Sequence, residues 1–278
     1  MLKTFGTAAI LFLSLQFISC KKQLDQPPVI PPTVTYDTDA QNFFDSTGIS
    51  DTTQKTALNS LVKQLKDSSL WSKFVAIYPM VGGSSATTKW NLKDPRNVDA
   101  AYRLTYNGSP VFSGAGVLFP TTSDYADTHL TDSAIGGFNN SAISYYSTTQ
   151  NTVNGYDMGC SDHTMYYNEF AIYNSSDASN WFGYYAFGIA PPSTVGLFML
   201  SSTATDVKRY ENGIATDSKG SAPVTGYTNM NILLGTVDGA SSGGQRQCSF
   251  ATIGQGLSDA QALTFYNIVH KFMVTLSR

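Results

Sequence analysis

Only two glutamates occur among the 278 residues, Glu169 and Glu211, and their isolation bears first on hydrolysis. Glycoside cleavage needs two carboxyl groups about 5 to 9 Å apart across the scissile bond. On a strand that means acids at alternating positions of one face. Neither glutamate has an acidic residue two positions away, and Glu211 falls at a hairpin turn. Acyl transfer fares no better. His129, His163 and His270 are the bases on offer, but no Gly-x-Ser-x-Gly elbow accompanies them. Asp162-His163 stands beside Cys160 without further ligands at the spacing zinc requires. The sequence therefore supplies no catalytic set, and the expectation is a protein that binds without breaking bonds.

Two binding chemistries remain. Asp124, Asp127 and Asp132 cluster carboxylates with Thr and Ser oxygens, the donor set Ca²⁺ takes when six to eight oxygens surround it. Read that way, the segment is a loop. The same acids also suit a solvated turn in which each Asp bonds its own backbone. Aromatic rings are the second resource. Tyr145, Tyr146, Tyr156, Tyr166, Tyr167, Trp181, Tyr184 and Tyr185 crowd one stretch, and sugar C–H faces stack on such rings. Adjacent residues of a strand face opposite ways, so one member of Tyr145-Tyr146 is expected at the surface. Tyr145, Tyr146, Trp181, Tyr184 and Tyr185 are the candidate ligand contacts.

The N-terminus gives the address. Lys3 precedes an apolar run from Phe5 to Ile18 that is short for a membrane span and suits a signal peptide. It ends Phe17-Ile18-Ser19-Cys20, which resembles the lipobox of bacterial lipoproteins, with Phe17 in place of the usual Leu. The resemblance implies an acylated Cys20 and attachment to a bacterial cell envelope, at the outer membrane, facing the periplasm or the outside. Pro27, Pro28, Pro31 and Pro32 then make a semi-rigid tether. Cys160 and Cys248 remain as an even pair in an oxidising compartment, open to a disulfide or to two buried thiols. Charged residues are 13% of the chain, against about 25% in an average globular protein. With a net charge of −3 the chain has no field to draw DNA or RNA, so nucleic acid is excluded as a partner.

Elements follow from periodicity. Leu58, Leu61, Val62 and Leu65 repeat at helical spacing behind Ser50 or Asp51 as cap, and Leu70, Trp71, Phe74, Val75 and Ile77 extend the pattern to Pro79. That stripe predicts a helical extension packed on an edge or face of the following domain. From Val81 short strands alternate with turn residues: Ala100 to Tyr106, Gly116 to Phe119, Ala142 to Ser147, Thr164 to Tyr173, Trp181 to Ile189, Val195 to Ser201, Val207 to Tyr210, Asn231 to Thr236 and Gln247 to Ile253. Asn212-Gly213 predicts a tight type I′ hairpin. Ser258 with Gln261 predicts a capped final helix burying Leu263, Tyr266, Val269 and Phe272 or Met273. The expected division is signal peptide 1–19, lipidated Cys and tether 20–40, helical extension 41–80 and sandwich 81–278.

Lys208-Arg209-Tyr210-Glu211-Asn212-Gly213, Ile232-Leu233-Leu234-Gly235, Gly256-Leu257-Ser258-Asp259-Ala260-Gln261 and Phe265-Tyr266 resemble the closing half of a laminin-G-like or concanavalin-A-like sandwich. The resemblance implies a mainly β chain, an antiparallel β-sandwich of jelly-roll type, with glycan binding and often Ca²⁺ in a loop. Trp71, Ile77-Tyr78-Pro79, Lys89 to Pro95 and Asp99 to Leu104 are similar to a region of uncharacterised secreted and phage-virion proteins, which implies surface display. The combined expectation is an envelope lipoprotein whose sandwich binds carbohydrate or another extracellular polymer. The alternative is an adhesion module contacting a cell-surface protein, with a glycoside-active enzyme third.

Overall fold

The computed structural model describes residues 35–136, 139–161, 169–174, 180–182, 185–187, 193–220, 229–239 and 242–278. The signal peptide, Cys20 and the proline-rich tether lie outside them.

Two helices open the described chain, α1 (Thr38–Thr47) and α2 (Thr52–Asp67). Gly48 closes α1 in the left-handed conformation, and the Asp51 side chain caps α2 by accepting from Gln54 N. Ala57, Leu58, Leu61, Val62 and Leu65 form the buried stripe of α2. The helical pattern does not run on to Pro79 as expected. Ser69 turns left-handed and Leu70 N reaches back to Leu65 O, a terminating turn that satisfies the last carbonyls. The chain leaves it as strand β1 (Phe74–Tyr78). Phe74 and Ile77 join one core cluster while Ala76 and Tyr78 join another, so these apolar residues were strand residues facing two cores.

The remaining elements are α3 (Ser85–Thr88), β2 (Thr105–Asn107), β3 (Val111–Ser113), β4 (Gly116–Leu118), β5 (Tyr125–Thr131), β6 (Ser141–Ser147), β7 (Gly155–Ser161) and β8 (Glu169–Asn174). Then come β9 (Asn180–Phe182), β10 (Tyr185–Phe187), β11 (Gly196–Ser202), β12 (Asp206–Glu211), β13 (Ile214–Gly220), β14 (Asn231–Leu234), β15 (Gln247–Gly254) and α4 (Asp259–Thr275). Among the described residues they form two antiparallel sheets. Sheet I runs β13-β12-β11-β6-β15-β4-β3, with β1 also paired to β15; sheet II runs β10-β9-β8-β7-β14-β5-β2. The expected mainly β sandwich is the fold.

Two cores share sheet I. Its inner face meets sheet II around Tyr145, Ile143, Phe170, Met158, Leu234 and Phe198. Its outer face is covered by helices: Phe250 and Phe74 pack on Phe265 of α4, and Leu61 and Leu65 of α2 fall in the same cluster. The molecule is therefore three layers deep, helices on sheet I on sheet II. Tyr36–Arg278 is one compact unit, with α1 and α2 packed on the sandwich and β1 built into sheet I.

The C-terminal expectations hold closely. Asn212 and Gly213 both have positive φ, at 49° and 79°, as a type I′ turn requires. A Cβ on Gly213 would stand 2.7 Å from Tyr266 Cβ, so the turn also needs glycine to lie against α4. Ser258 and Gln261 form the capping box. Val269, Phe272 and Met273 are buried, but Leu263 is 41% exposed. The buried stripe runs through Ala262, Phe265 and Ile268 instead, because that face meets Phe74 and Phe250.

Candidate functional site

With sheet I covered on both faces, the outer face of sheet II is where part-exposed aromatic and polar side chains gather. On β5 burial alternates: Ala126, Thr128 and Leu130 are buried, while Tyr125, Asp127, His129 and Thr131 are part-exposed. Paired residues of neighbouring strands share a face. Thr105, Asp127, Leu233, Gly159 and Ala171 thus form one outer row, in which Leu233, Gly159 and Ala171 are buried and the part-exposed residues lie toward its β2–β5 end, and Trp181 is in register with Ala171.

At one end of this face Tyr156 of β7 is paired with Tyr173 of β8, their rings edge-to-face at 4.7 Å between centroids. Both are half-buried, an arrangement that offers ring faces to a ligand on a braced pair. The Tyr156 hydroxyl is hydrogen-bonded to Glu169. Burial, then Glu169, Tyr173 and Asp238, keep that phenol protonated far above its ordinary range. Asp238 is fixed in turn, accepting from Thr236 Oγ1 and Ser242 Oγ at 3.0 Å each.

A β-bulge positions Tyr156. The register slips between Tyr156 and Met158, so Tyr156 keeps the outer face with Tyr173 while Met158 keeps the core with Ile172. The extra residue, Asp157, turns into the end of the sandwich. There it is 1% exposed, 2.9 Å from Arg246 Nη1, and accepts from Asn174 Nδ2. Arg246 is equally buried and also donates to Asn174 O and Val153 O. Burial pushes the Asp157 carboxyl up, with Arg246 pulling against it. A Cβ on Gly244 would lie 2.2 Å from Arg246 Nη1, so glycine leaves room for the clamp. The same loop grips Tyr156 by its backbone: Tyr156 N donates to Ser242 O, and Gly244 N to Tyr156 O.

At the far end, Asp127 accepts from His129 N at 2.7 Å and from Asn231 Nδ2 at 3.1 Å. His129 Nε2 lies 2.8 Å from Thr105 Oγ1 and 3.5 Å from Asp99, which also binds Arg103.

The structure redistributes the residues expected from sequence. Tyr145 and Tyr146 do point to opposite faces of β6, but both faces are inside: Tyr145 is 0% exposed between the sheets and Tyr146 is 7% exposed under the helices. The helical layer removes the free surface the alternation seemed to leave. Trp181 and Tyr185 lie on β9 and β10, where only the backbone is described, and Tyr185 pairs with Phe182. Tyr184, Tyr166, Tyr167, Asp162 and His163 lie outside the described residues.

Asp124, Asp127 and Asp132 do not bound a loop. They bracket and occupy strand β5, whose length holds Asp124 and Asp132 roughly 20 to 25 Å apart. Asp124 accepts from Ser109 N, Thr121 N and Thr121 Oγ1, and Asp132 from Ser133 N and Asn229 N. Burial raises the Asp124 carboxyl, but those donors outweigh it and hold the acid below its ordinary range. Each acid is a backbone staple, and among the described residues no three His, Cys, Asp or Glu gather to hold a metal ion. The Cys160–Cys248 bridge is not formed. Both are buried and unbridged, on β7 of sheet II and β15 of sheet I, and burial pushes the Cys248 thiol well up. Glu169 and Glu211 are on different sheets, Glu211 being ion-paired to Arg209. His270 is exposed on α4, stacked on Tyr266.

Sequence reasoning passed over Tyr173 and Asp238. Glu169, Ala171 and Tyr173 alternate, the strand signal for one shared face, so Tyr173 could have been found. Asp238 could not, since only the fold brings β14's following loop to Tyr156.

The chain matches no family model and no curated protein sequence. It is similar in fold to solved structures. A mutant of Trypanosoma rangeli sialidase displaying trans-sialidase activity aligns over 76% of this chain and 39% of its own, with 9% identity and a TM-score of 0.51. The same sialidase in complex with 2,3-difluorosialic acid aligns at 10% identity and a TM-score of 0.50, over 76% and 38%. Domain 4 of the extracellular arabinanase AbnA from Geobacillus stearothermophilus, in complex with arabinotriose, aligns over 69% of this chain and 98% of its own, at 14% identity and a TM-score of 0.44. The chain spans well under half of the sialidases, and identities this low are a likeness of fold.

Proposed function

We propose that the protein is a non-catalytic carbohydrate-binding module, held at a bacterial cell envelope by an acylated Cys20, whose ligand lies on the outer face of sheet II. The observation that carries this reading is the Tyr156–Tyr173 pair. Two half-buried rings are braced edge-to-face beside a hydrogen-bonding carboxylate, on the sheet face that no described helix covers. Stacking supplies apolar contact, and buried Glu169 holds the Tyr156 hydroxyl in place at its edge. A sandwich shared with part of a sugar-processing enzyme is in keeping with it. Among the described residues the large exposed apolar ones are Val98, Val111, Val195, Ile214, Met230, Leu263 and Val274, spread over different elements, which favours a sugar over a flat protein partner.

A glycan-array screen with and without EDTA tests the reading. Binding that survives EDTA and is lost in Tyr173→Ala is expected; a chain that binds no glycan refutes it. Detergent partitioning of wild type and Cys20→Ala tests the anchor, and equal partitioning into the aqueous phase would remove it.

One observation favours a second reading, hydrolysis. Glu169 is hydrogen-bonded to the Tyr156 hydroxyl, and the charge of Asp238, distant in sequence, adds to the effect on that phenol. New reducing ends on bound oligosaccharide, abolished by Glu169→Gln, would establish it.

A further inference from the structure

Every strand of sheet II lacks lysine and arginine. The whole run from Leu104 to Val207 contains neither, nor does the run from Gly220 to Gln245, and these two runs supply β2, β5, β7, β8, β9, β10 and β14. Acids are not spared in the same way: Asp127, Glu169 and Asp238 belong to this sheet or the loop beside it.

The cations that flank these two runs, Arg103, Lys208, Lys219 and Arg246, are already engaged. Arg246 is buried beneath Tyr156 and bonded to Asp157 and to backbone carbonyls. Arg103, at the β2 edge, binds Asp99. Lys208, Arg209 and Lys219 belong to sheet I and each faces a carboxylate. Recognition of a sugar carboxylate or sulfate rests on guanidinium forks or ammonium groups that replace its water. On this face such an anion would lose its hydration beside acids and gain no counter-charge.

We infer that the outer face of sheet II takes uncharged or amine-bearing sugars and turns away anionic ones, namely sialic acids, uronates and sulfated glycans. The inference rests on the glycan-binding reading and narrows it. An amine-bearing sugar gains from the same acids, through an attraction that salt screens.

The test uses the full chain on an array holding neutral, amino and anionic glycans, with hits titrated calorimetrically. A second arm compares β-1,4-linked hexamers of glucose, glucosamine and glucuronic acid, which share a backbone and differ in charge. The expected result is binding confined to neutral or amine-bearing glycans, with any anionic counterpart weaker by at least about tenfold. Binding of amine-bearing oligomers should weaken as salt rises while that of neutral ones holds. A sialylated, uronate or sulfated glycan bound within tenfold of the best neutral one overturns the inference and leaves the glycan-binding reading standing. Binding to nothing on the array overturns that reading, and the inference falls with it.

Discussion

The outer faces of the two sheets carry opposite burdens. Sheet I presents Tyr146, Leu197, Met199, Tyr210 and Phe250 outward, an apolar set that water cannot wet without cost, and the helices cover it. Sheet II presents Tyr125, Asp127, His129, Tyr156 and Tyr173, which can remain part-exposed because each has a polar tip or a polar neighbour. One sandwich thus spends one face on stability and keeps the other for contact. The same residue type obeys this division: Tyr146 is a core residue and Tyr173 a surface one, by sheet alone.

The contrast can be broken from either side. The largest effect is expected where sheet II's face is anchored. Arg246→Met leaves Asp157 buried without its counter-charge and should cost about 3 to 5 kcal/mol in denaturant unfolding. A loss below 1 kcal/mol would mean that the clamp does not hold the β7 bulge. Phe265→Ala empties the contact between α4, Phe74 and Phe250 and should cost about 3 to 5 kcal/mol, with glycan affinity retained in the folded fraction. Tyr173→Ala should do the reverse, costing under about 2 kcal/mol while abolishing binding in calorimetry. If stability and binding fell together in both variants, the two faces would not be separable.

Smaller effects sharpen the edges. Gly213→Ala forces a side chain into left-handed backbone against Tyr266 and should lower stability by about 1 to 2 kcal/mol, read as a lower unfolding midpoint. Asp259→Asn should cost a few tenths of a kcal/mol at neutral pH, since the acid is largely exposed at the α4 N-terminus. Lys208 and then Tyr210 hold the Asp259 carboxyl below its ordinary range. Its contribution is therefore present above the unfolded carboxylate range, near about 4, and is lost as pH falls through the lower folded value. Urea midpoints of wild type and variant should converge as the solution is acidified; a gap that persists at low pH would contradict this.

Much of the fold was legible because the signals are local. The Asn212-Gly213 turn needs two positive φ values, and the Ser258–Gln261 box needs only four residues, so both could be read before any packing was known. The stripe of α2 was equally plain. Leu70 to Ile77 misled because a short apolar run suits a helix face or a doubly buried strand, and only pairing with β15 decides between them. The candidate site was read less well. Tyr145 and Tyr146 looked half-exposed from alternation, a rule that assumes one wet face, and the helical layer left sheet I none.

Composition and periodicity by themselves determined a weakly charged β-sandwich with helical stripes, together with the absence of Lys and Arg from long runs of chain. These properties belong to residue type and to neighbours a few positions apart. The tertiary structure alone decided which sheet face the helices would cover, which tyrosines would be core, and that Glu169 and the loop holding Ser242 would meet Tyr156. Each of those outcomes depends on contacts between segments far apart in sequence, whose geometry is set by the packing of whole layers and by no local preference.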